Sequence, residues 1–284
     1  MSCYVGLDIG GTKLLVASAE PDGAIIRRVR HDTPVDLQEG ISLLHQMIAE
    51  VAEGRPIAGI GAAIGGPMDW QTGVVSPLHQ PLWNDVPLRQ LMQHRWNCPF
   101  AVDVDTNVAA LGEYFCGGHD VPRLLYLTIS TGMGGGFVVD GRIYRGAGGG
   151  HPEVAHQSVH SPFPRCQNVP CPCGSRNCLE ALVSGNGIKA LYHKPAEALT
   201  AAEWAEVEHN LAEGLRNLAA ILLPDLIVLG GGIACARGQQ LIDSLNHTLQ
   251  ERVRIVACPE IRLSKLGYDT ALTGAIEISK RGLE

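Results

Sequence analysis

The sequence predicts a protein of the α/β class. Short apolar segments with strand character alternate with segments whose apolar residues recur at helical spacing. Several of the predicted strands run directly into glycine-rich turns, and α/β proteins bind their ligands at such strand ends. The chain of 284 residues is long enough for one large domain or two moderate ones.

The first predicted strand, Tyr4–Ile9, leads into a turn that is rich in glycine. Gly10 and Gly11 let backbone N–H groups approach an anion, Thr12 adds a hydroxyl donor, and Asp8 is placed to orient a hydrated Mg²⁺. The spacing matches neither the Walker phosphate loop nor G-x-G-x-x-G. Taken alone, the segment is equally compatible with a plain glycine hairpin. Two further strands are expected after it, at Leu14–Ser18 and Ala24–Ile26.

A packing helix and a buried strand come next. Apolar residues at helical spacing predict a helix over Leu37–Glu53, and Ile57–Ile64 is predicted to be a buried strand. The strand ends in Gly65-Gly66-Pro67, which is either a bare turn or a place where the backbone meets a ligand closely. A short helix is expected from Pro87 to about Trp96.

A candidate functional carboxylate follows the next strand. The strand is predicted at Phe100–Asp105 and the helix after it at Thr106–Tyr114. Asp105 therefore lies at a strand end beside a helix start, where ligands of α/β sheets bind. The alternative is that Asp105 is only the N-cap of the helix. Asp103 is the rival candidate, because two residues earlier on one strand it would point the same way.

A second glycine-rich segment repeats the first. The buried strand Leu124–Ile129 enters Ser130–Gly136, which again combines hydroxyl side chains with glycines, among them Thr131, Gly132 and Gly134. Two copies of one phosphate-binding motif are a more specific indication of phosphate binding than either copy alone. The repeat predicts two similar halves that hold a polyphosphate.

The C-terminal part continues the alternation. A strand over Leu226–Leu229 enters Gly230, Gly231 and Gly232, which either admit an adenine or ribose against the backbone or form a tight strand–helix turn. The remaining elements expected are a hairpin over Phe137–Tyr144, helices over Asn186–Lys194, Ala201–Leu222 and Gln239–Arg252, a strand at Ile261–Leu263, and a last helix over Ala271–Lys280.

Cysteines are concentrated in one segment of the chain. Cys171, Cys173 and Cys178 follow the pattern C-x-C-G-x-x-x-C. Thiolates this close, in a chain without signs of secretion, favour Zn²⁺ over a disulfide. Ordinary buried or spare cysteines are the alternative.

A tetrahedral zinc site needs a fourth ligand from the residues upstream. The candidates are His151, His156 and His160, of which we favour His156. Such a site has no open position, so it is expected to be structural and to fix a loop that holds Glu153 and Glu180.

Composition narrows the functional classes. The formal net charge is −7, and no dense run of Lys and Arg is present, which argues against nucleic-acid binding. No apolar run reaches the roughly 18 residues that a membrane span requires. The N-terminal residues lack the pattern of a signal peptide, and the nine cysteines then indicate a reduced, cytoplasmic setting.

These motifs together resemble the ROK family, which contains repressors, open reading frames and sugar kinases. In the cysteine segment the resemblance is carried by Glu153-x-x-His156, Cys171-Pro-Cys173-Gly174 and Cys178-Leu-Glu180. It extends to the phosphate motifs at Asp8–Lys13 and Ser130–Gly136, the adenosine loop at Gly230–Gly232, the sugar-side loop at Gly65–Pro67 and Trp83, and the catalytic segment Asp105–Glu113. Because ROK repressors begin with a helix-turn-helix domain and this chain begins on the phosphate strand, the resemblance favours a sugar kinase.

The resemblance implies the fold of the sugar-kinase, heat-shock-protein and actin superfamily. In that fold two ribonuclease-H-like α/β domains face each other over a cleft. The implied N-terminal domain covers 1–117, and the C-terminal helix 271–284 returns to it. The implied C-terminal domain covers 118–270 and carries the zinc loop 148–185. Relatives commonly form dimers, so a homodimer is expected.

The resemblance also implies a reaction. Asp105 would accept the proton of a hexose hydroxyl, with the 6-hydroxyl favoured, and the oxygen would attack the γ-phosphoryl group of ATP with Mg²⁺ present. The implied sugar-binding residues are Gly66, Asn107, Glu153, His156 and Glu180. The implied phosphate- and nucleotide-binding residues are Asp8, Gly10, Gly11, Thr12, Lys13, Thr131, Gly132, Gly134, Gly230, Gly231 and Gly232.

Several positions depart from the family pattern. Val104 stands where glucose-type relatives have Asn before the base, and His79 stands where the sugar loop has Asn. Asn177 replaces a glycine before the last cysteine, which Asn tolerates if its backbone is left-handed. The interval from His156 to Cys171 is longer than usual. Cys166 lies nearer the usual distance, although the C-x-C-G match favours Cys171.

The sugar is therefore ranked rather than identified. Glucose comes first, then fructose or mannose, then an N-acetylated hexosamine such as N-acetylmannosamine, because one altered hydrogen bond changes selectivity strongly. A catalytically silent sugar sensor on the same scaffold is the non-enzyme alternative. A zinc-ribbon nucleic-acid binder is disfavoured by the acidic balance.

Overall fold

The computed structural model describes residues 2–283, which divide into two compact units. Unit 1 combines the N-terminal residues up to His119 with Gly141–Gly150 and the C-terminal residues from Asp269. Unit 2 combines Asp120–Asp140 with His151–Tyr268. Within 2–283, no helix is both long and apolar enough to cross a membrane.

Strands and helices alternate along the chain, as predicted. The strands are β1 Cys3–Ile9, β2 Lys13–Ala19, β3 Ile25–Asp32, β4 Ile57–Ile64, β5 Met68–Asp69, β6 Val74–Val75, β7 Val86–Pro87, β8 Phe100–Val104, β9 Arg123–Ile129, β10 Met133–Val139, β11 Arg142–Ile143, β12 Leu226–Gly230 and β13 Glu260–Leu263. The α-helices are α1 Leu37–Ala52, α2 Leu88–Trp96, α3 Asp105–Cys116, α4 Leu179–Val183, α5 Gly185–Tyr192, α6 Ala201–Leu222, α7 Gly231–Arg252 and α8 Thr270–Arg281.

Unit 1 is built on a five-stranded sheet in the order β3-β2-β1-β4-β8. β1 is antiparallel to β2, whereas β1, β4 and β8 run parallel. The apolar face of α1 is buried in the same hydrophobic cluster as these strands. The parallel strands therefore end at one edge of the sheet, which is the edge that carries the candidate site.

α8 packs on the sheet of unit 1 at very short range. A Cβ on Gly61 of β4 would overlap the carbonyl oxygen of Ala275 in α8. A Cβ on Gly274 of α8 would likewise overlap the carbonyl oxygen of Val108 in α3. Glycine at these positions lets the last helix approach both β4 and α3, so the C-terminal residues are part of the unit 1 core.

Unit 2 contains a sheet whose strands β10, β9, β12 and β13 lie side by side. β12 is parallel to both β9 and β13, and β10 is antiparallel to β9. α6 begins and ends where the sequence predicted, and a capping box of Thr200 and Glu203 fixes its start. Buried apolar residues of these strands and of α4 to α7 form one large cluster.

Three boundaries differ from the prediction by four residues or more. α7 begins at Gly231 rather than Gln239. The helix is interrupted at Gly238, which has a φ of 61°, and the prediction found only the part after this interruption. The glycine-rich loop expected over Ser130–Gly136 is shorter, since β10 begins at Met133 and pairs with β9. β3 continues to Asp32 because β2 pairs with it along its length.

Candidate functional site

Acidic residues collect at the ends of the parallel strands of unit 1. Asp8 of β1 is in register with Ala63 of β4, and Ala63 is in register with Asp103 of β8. Asp105 follows directly as the first residue of α3. The fold thus brings the residue predicted to orient Mg²⁺ to the same sheet edge as the two candidate bases.

Asp8 is held in an environment that opposes its ionisation. Burial, and to a smaller extent the charges of Asp105 and Asp269, raise the pKa of Asp8 to about 7. A cation at this edge would relieve both effects, because it favours the ionised carboxylate.

The two candidate bases have different surroundings. Asp105 is exposed, and its Oδ1 accepts the N–H of Thr106 at 2.7 Å. The N-cap of α3 is Val104 and not Asp105, so the capping interpretation of Asp105 is wrong. Asp103 is 1% exposed and paired with Arg145. The expectation that both carboxylates point the same way is also wrong, because the chain turns from β8 into α3 between them.

Asn107, predicted to bind sugar, is buried in the first turn of α3. Its Nδ2 donates to Oδ1 of Asp103 at 3.1 Å. Its own Oδ1 is buried and has no hydrogen-bond partner among the residues described. The amide nitrogen is thus already engaged inside the protein.

The first glycine turn is a tight connection between β1 and β2. The N–H of Gly10 donates to the carbonyl oxygen of Lys13 at 2.9 Å, and the carbonyl oxygen of Gly10 accepts the Thr33 hydroxyl at 2.6 Å. Gly11, Thr12 and Lys13 are exposed. Gly10 therefore shapes the turn, and the three residues after it are accessible to a ligand.

The predicted sugar-side loop packs on this turn. A Cβ on Gly11 would lie 2.6 Å from Cβ of His79, so only glycine fits beneath the loop. The loop is closed at its base by the N–H of Leu78, which donates to the carbonyl oxygen of Gly66 at 3.0 Å. The loop is consequently fixed against the phosphate turn within unit 1.

In unit 2 the second glycine turn is supported by Glu180. Its Oε1 accepts the N–H of Met133 at 3.1 Å, and a Cβ on Gly132 would lie 2.8 Å from the same oxygen. The N–H groups of Gly185 and Asn186 donate to the carbonyl oxygens at the start of the turn. Gly134, predicted to bind phosphate, instead lies within β10 opposite Thr128.

The third glycine segment is a strand–helix turn, which was one of its two interpretations. Gly230 ends β12, and Gly231, with a φ of 85°, begins α7 against the carbonyl oxygen of Ile129. Gly232 borders a cavity of about 760 Å³ in unit 2. Thr131 of the second turn lines the same cavity. Two segments predicted to hold a nucleotide therefore meet at one cavity.

The cavity walls include side chains that the sequence analysis treated as ordinary helix residues. Trp204 and Glu208 of α6 face it together with Arg237 of α7. The Arg237 guanidinium stacks on the Trp204 ring at 4.5 Å and donates to Glu208 at 3.0 Å. The helical periodicity that placed these residues gave no signal of a cavity.

Four of the predicted metal ligands form one cluster. One ligand atom from each of His156, Cys171, Cys173 and Cys178 lies within 4.8 Å of all the others. Nδ1 of His156 is 3.5 Å from Sγ of Cys171, and the Sγ atoms of Cys173 and Cys178 are also 3.5 Å apart. Three thiols and one imidazole are a donor set that suits tetrahedral Zn²⁺.

The alternative ligand Cys166 is engaged elsewhere. It is fully buried, and its Sγ accepts the Nδ2 of Asn210 at 3.4 Å. The long interval between His156 and Cys171 contains Cys166, so the extra residues include one that is buried away from the cluster. Asn177 adopts a φ of 54°, so the left-handed backbone expected there is confirmed.

His156 links the cysteine cluster to two carboxylates. Its Nδ1 is 3.8 Å from Oε2 of Glu180, and its Nε2 is 4.0 Å from Oε2 of Glu153. The side chain of Glu153 is 64% exposed. With Nδ1 facing the thiols, the imidazole leaves Nε2 on the side of Glu153.

Arg145 and Trp70 were not found by sequence reasoning. Arg145 pairs with Asp103, and its guanidinium lies over the Trp70 ring at 3.9 Å from the centroid. Neither residue belongs to a motif. Arg145 is revealed by its contact with Asp103 in the strand that precedes Asp105, and Trp70 by its contact with Arg145.

Comparison with known proteins agrees with these observations. The sequence model of the ROK family matches residues 4–281. A glucokinase from Halalkalibacterium halodurans is 30% identical over 313 residues, which cover 95% of this chain and 93% of that protein. An N-acetylmannosamine kinase from Vibrio cholerae is 31% identical over 293 residues, covering 95% and 97%. The crystal structure of a ROK hexokinase from Thermus thermophilus superposes with a TM-score of 0.82 at 28% identity, covering 98% and 97%.

Proposed function

The chain belongs to the ROK family, and we propose that it is an ATP-dependent hexose kinase. The predicted fold, the two-domain α/β fold of the sugar-kinase and actin superfamily, is confirmed. The observation that carries the proposed activity is the position of Asp105. It is an exposed carboxylate at the end of a parallel strand, in a family whose relatives phosphorylate sugars.

Asp105 is proposed as the general base. It would accept the proton of a hexose hydroxyl, with the 6-hydroxyl proposed first, as the oxygen attacks the γ-phosphoryl group in line. Asp103 cannot share this role, because it is buried and neutralised by Arg145. Positioning and charge stabilisation would supply most of the remaining catalysis.

The phosphate groups are assigned to the accessible residues of the two glycine turns. These are Gly11, Thr12 and Lys13 in unit 1, with Thr131 and Gly132 in unit 2. Gly10 and Gly134 are assigned a structural role, since the first closes its turn and the second lies in β10. Asp8 would orient Mg²⁺, which supplies charge neutralisation at the phosphates when it is bound.

The base and ribose of ATP are assigned to the cavity of unit 2. Its volume of about 760 Å³ suits a nucleotide, and Gly232 leaves backbone exposed at its border. Gly230 and Gly231 would act by allowing β12 and α7 to meet closely, which places the start of α7 at the cavity.

The sugar is assigned to Glu153, His156 and Glu180. Carboxylates and imidazole nitrogen are suitable partners for several hydroxyl groups at once. Gly66 would contribute backbone from the loop over the phosphate turn. Asn107 would act indirectly, because its amide holds Asp103 instead of facing solvent.

We further propose that the cysteine cluster binds Zn²⁺ as a structural ion. His156 would ligate through Nδ1 and keep Nε2 for the sugar side, which couples the metal to sugar binding. Removing the ion would loosen the loop that carries Glu153.

Among sugars, glucose is proposed first. Fructose or mannose follows, and then N-acetylmannosamine. The last stays in the ranking because a glucokinase and an N-acetylmannosamine kinase are nearly equally identical to this chain. The two compact units are proposed to be the two domains of the kinase, and the active form is proposed to be a homodimer in the cytoplasm.

A sugar panel tests this proposal. Purified protein with Mg–ATP is assayed for ADP release with glucose, fructose, mannose, N-acetylmannosamine and N-acetylglucosamine, and the melting temperature is measured with each sugar. Sugar-dependent ADP release supports the kinase and identifies its substrate. Sugars that raise the melting temperature without any turnover would instead favour the sensor, the second candidate in a family that includes repressors.

A further inference from the structure

Asp103 is a buried carboxylate with three partners. It is 1% exposed, and it forms an ion pair with Arg145, whose side chain is 15% exposed. Its Oδ1 also accepts the N–H of Val104 at 2.7 Å and the Nδ2 of Asn107 at 3.1 Å. Burying an ionised carboxylate is costly unless a cation compensates it, and Arg145 is the cation paired with Asp103.

The partners of Asp103 lie on both sides of Asp105. Val104 immediately precedes Asp105, and Asn107 lies in the same helical turn two residues after it. Oδ1 of Asp103 therefore ties together the backbone before the proposed base and the helix after it. If Asp103 moved, the junction of β8 and α3 that carries Asp105 would move with it.

Arg145 is fixed on its other side by Trp70. The guanidinium lies over the indole ring at 3.9 Å, and the carbonyl oxygen of Trp70 accepts Nη2 of Arg89 at 2.7 Å. A Cβ on Gly149 would lie 2.6 Å from Nε1 of Trp70, so the chain after Arg145 also rests on this ring. The planar guanidinium suits both contacts at once, which the ammonium of Lys does not.

The segment that contains Arg145 leads into the proposed sugar-binding residues. Gly141–Gly150 belongs to unit 1, and unit 2 resumes at His151, two residues before Glu153. The contacts of Arg145 therefore fix a segment of unit 1, and this segment continues directly into the proposed sugar-binding loop.

We infer that Arg145 is a positioning residue for phosphoryl transfer, which acts through Asp103 on the backbone that carries Asp105 and through Trp70 on the chain leading to Glu153. This role rests on the proposed kinase activity. It assigns no contact with substrate to Arg145. Loss of Arg145 would leave the carboxylate of Asp103 buried without its ion-pair partner.

The test compares four variants of the full chain. Arg145→Met removes both the charge and the stacking, whereas Arg145→Lys keeps the charge. The double variant Asp103→Asn with Arg145→Met removes the buried pair without leaving a lone charge. Arg142→Met, an exposed arginine in the same segment, is the matched control. The kcat and both KM values are measured well below the melting temperature of each variant.

We expect Arg145→Met to lower kcat by roughly 10- to 100-fold, the range expected for a misplaced catalytic group, with the KM for ATP within about twofold of wild type. The kcat of Arg145→Lys should lie between those of wild type and Arg145→Met. The double variant should recover most of the lost kcat, and Arg142→Met should have the kcat of wild type. A purely structural role would lower the melting temperature and leave kcat of the folded enzyme unchanged.

Two results overturn the inference while the kinase stands. One is a kcat for Arg145→Met within about twofold of wild type; the other is a double variant no more active than Arg145→Met. If Arg145→Met does not fold, Arg145→Lys and the double variant are compared with wild type instead, and a kcat for Arg145→Lys within about twofold of wild type overturns the inference. A wild-type protein that turns over no sugar overturns the proposed function, and the positioning role falls with it.

Discussion

Replacing Asp8 by Asn should stabilise the free protein while it impairs the binding of Mg–nucleotide. Burial and the neighbouring Asp105 and Asp269 raise the pKa of Asp8 to about 7 from an ordinary value of 3.8. Because the folded state binds the proton more tightly than the unfolded chain does, Asp8 favours folding at low pH. This contribution is fully present below about pH 4 and is lost as pH rises through about 7.

The size of the effect follows from the pKa difference. A shift of about 3 units corresponds to about 4 kcal/mol, at about 1.4 kcal/mol per unit. The carboxylate is only partly buried, so solvent and protein relaxation reduce this, and we expect about 2 to 4 kcal/mol near pH 7. Asn has no proton to lose, so Asp8→Asn should gain this amount over wild type at pH 7 and almost nothing at pH 4.

Denaturant unfolding of the metal- and nucleotide-free protein at pH 4.5 and pH 7.5 measures this difference. Asp32→Asn is the matched control, because Asp32 is an exposed carboxylate on the same sheet and its replacement should change stability by under about 0.5 kcal/mol. In the same samples, a non-hydrolysable ATP analogue with Mg²⁺ should stabilise wild type more than Asp8→Asn.

An Asp8→Asn variant that is less stable than wild type at pH 7.5 would refute the reasoning about burial and repulsion. A gain of equal size at both pH values would refute the assignment of the gain to ionisation. Equal stabilisation of both proteins by Mg–nucleotide would refute the role of Asp8 in orienting the cation.

Three further predictions concern other parts of the chain. Elemental analysis should find about one zinc ion per wild-type chain; Cys171→Ser should lose this ion, whereas Cys258→Ser, at an exposed cysteine, should keep it. A zinc-free wild type, or a Cys171→Ser variant with full zinc, would contradict the metal site. Thr200→Ala should lower the free energy of unfolding by about 1 kcal/mol, because it removes the capping box of α6. Thr200→Ser keeps the hydroxyl and should not lower it. Equal losses for the two variants would argue against the cap. Gly61→Ala should lower the free energy of unfolding by about 1 to 3 kcal/mol, because the new methyl group meets the Ala275 carbonyl oxygen. Gly65→Ala is the control, because a methyl group there has open space. Unchanged stability of Gly61→Ala would show that α8 can shift freely.

The sequence was most informative where chemistry depends on residues close together in the chain. The cysteine spacing predicted the cluster that the structure forms, and His156, the favoured one of three candidate histidines, lies in that cluster. The strand that carries Asp8 and the strand before Asp105 also lie where the alternation predicted them. In each case the relevant distance is set by local backbone geometry, which spacing reports directly.

Contacts between distant residues were beyond the reach of spacing. Asp103 looked like a second base because strand periodicity places it beside Asp105, yet it is neutralised by Arg145, 42 residues later. The cavity of unit 2 likewise includes Trp204 and Arg237, which lie on separate helices with ordinary amphipathic patterns. A buried charge pair and a cavity wall are products of tertiary packing, and a single sequence contains no periodic trace of them.

The glycine segments show a third situation, in which composition located close backbone contacts but did not identify their partners. The first and third glycine segments were each left open between a ligand-binding loop and a plain turn, and the second was expected to hold phosphate. Gly134 lies in a strand, and Gly231 is a close contact between α7 and the end of β9. Glycine indicates that backbone comes close to something, and only the structure tells whether that partner is a ligand or the protein itself.

The most direct test of the account is the kcat of Asp105→Asn with the sugar that the panel identifies. The account predicts a fall of about 10²- to 10⁴-fold, the usual contribution of a general base, while the sugar still raises the melting temperature as it does in wild type. Sugar-dependent ADP release by Asp105→Asn at the wild-type rate would contradict the assignment of Asp105 as the base.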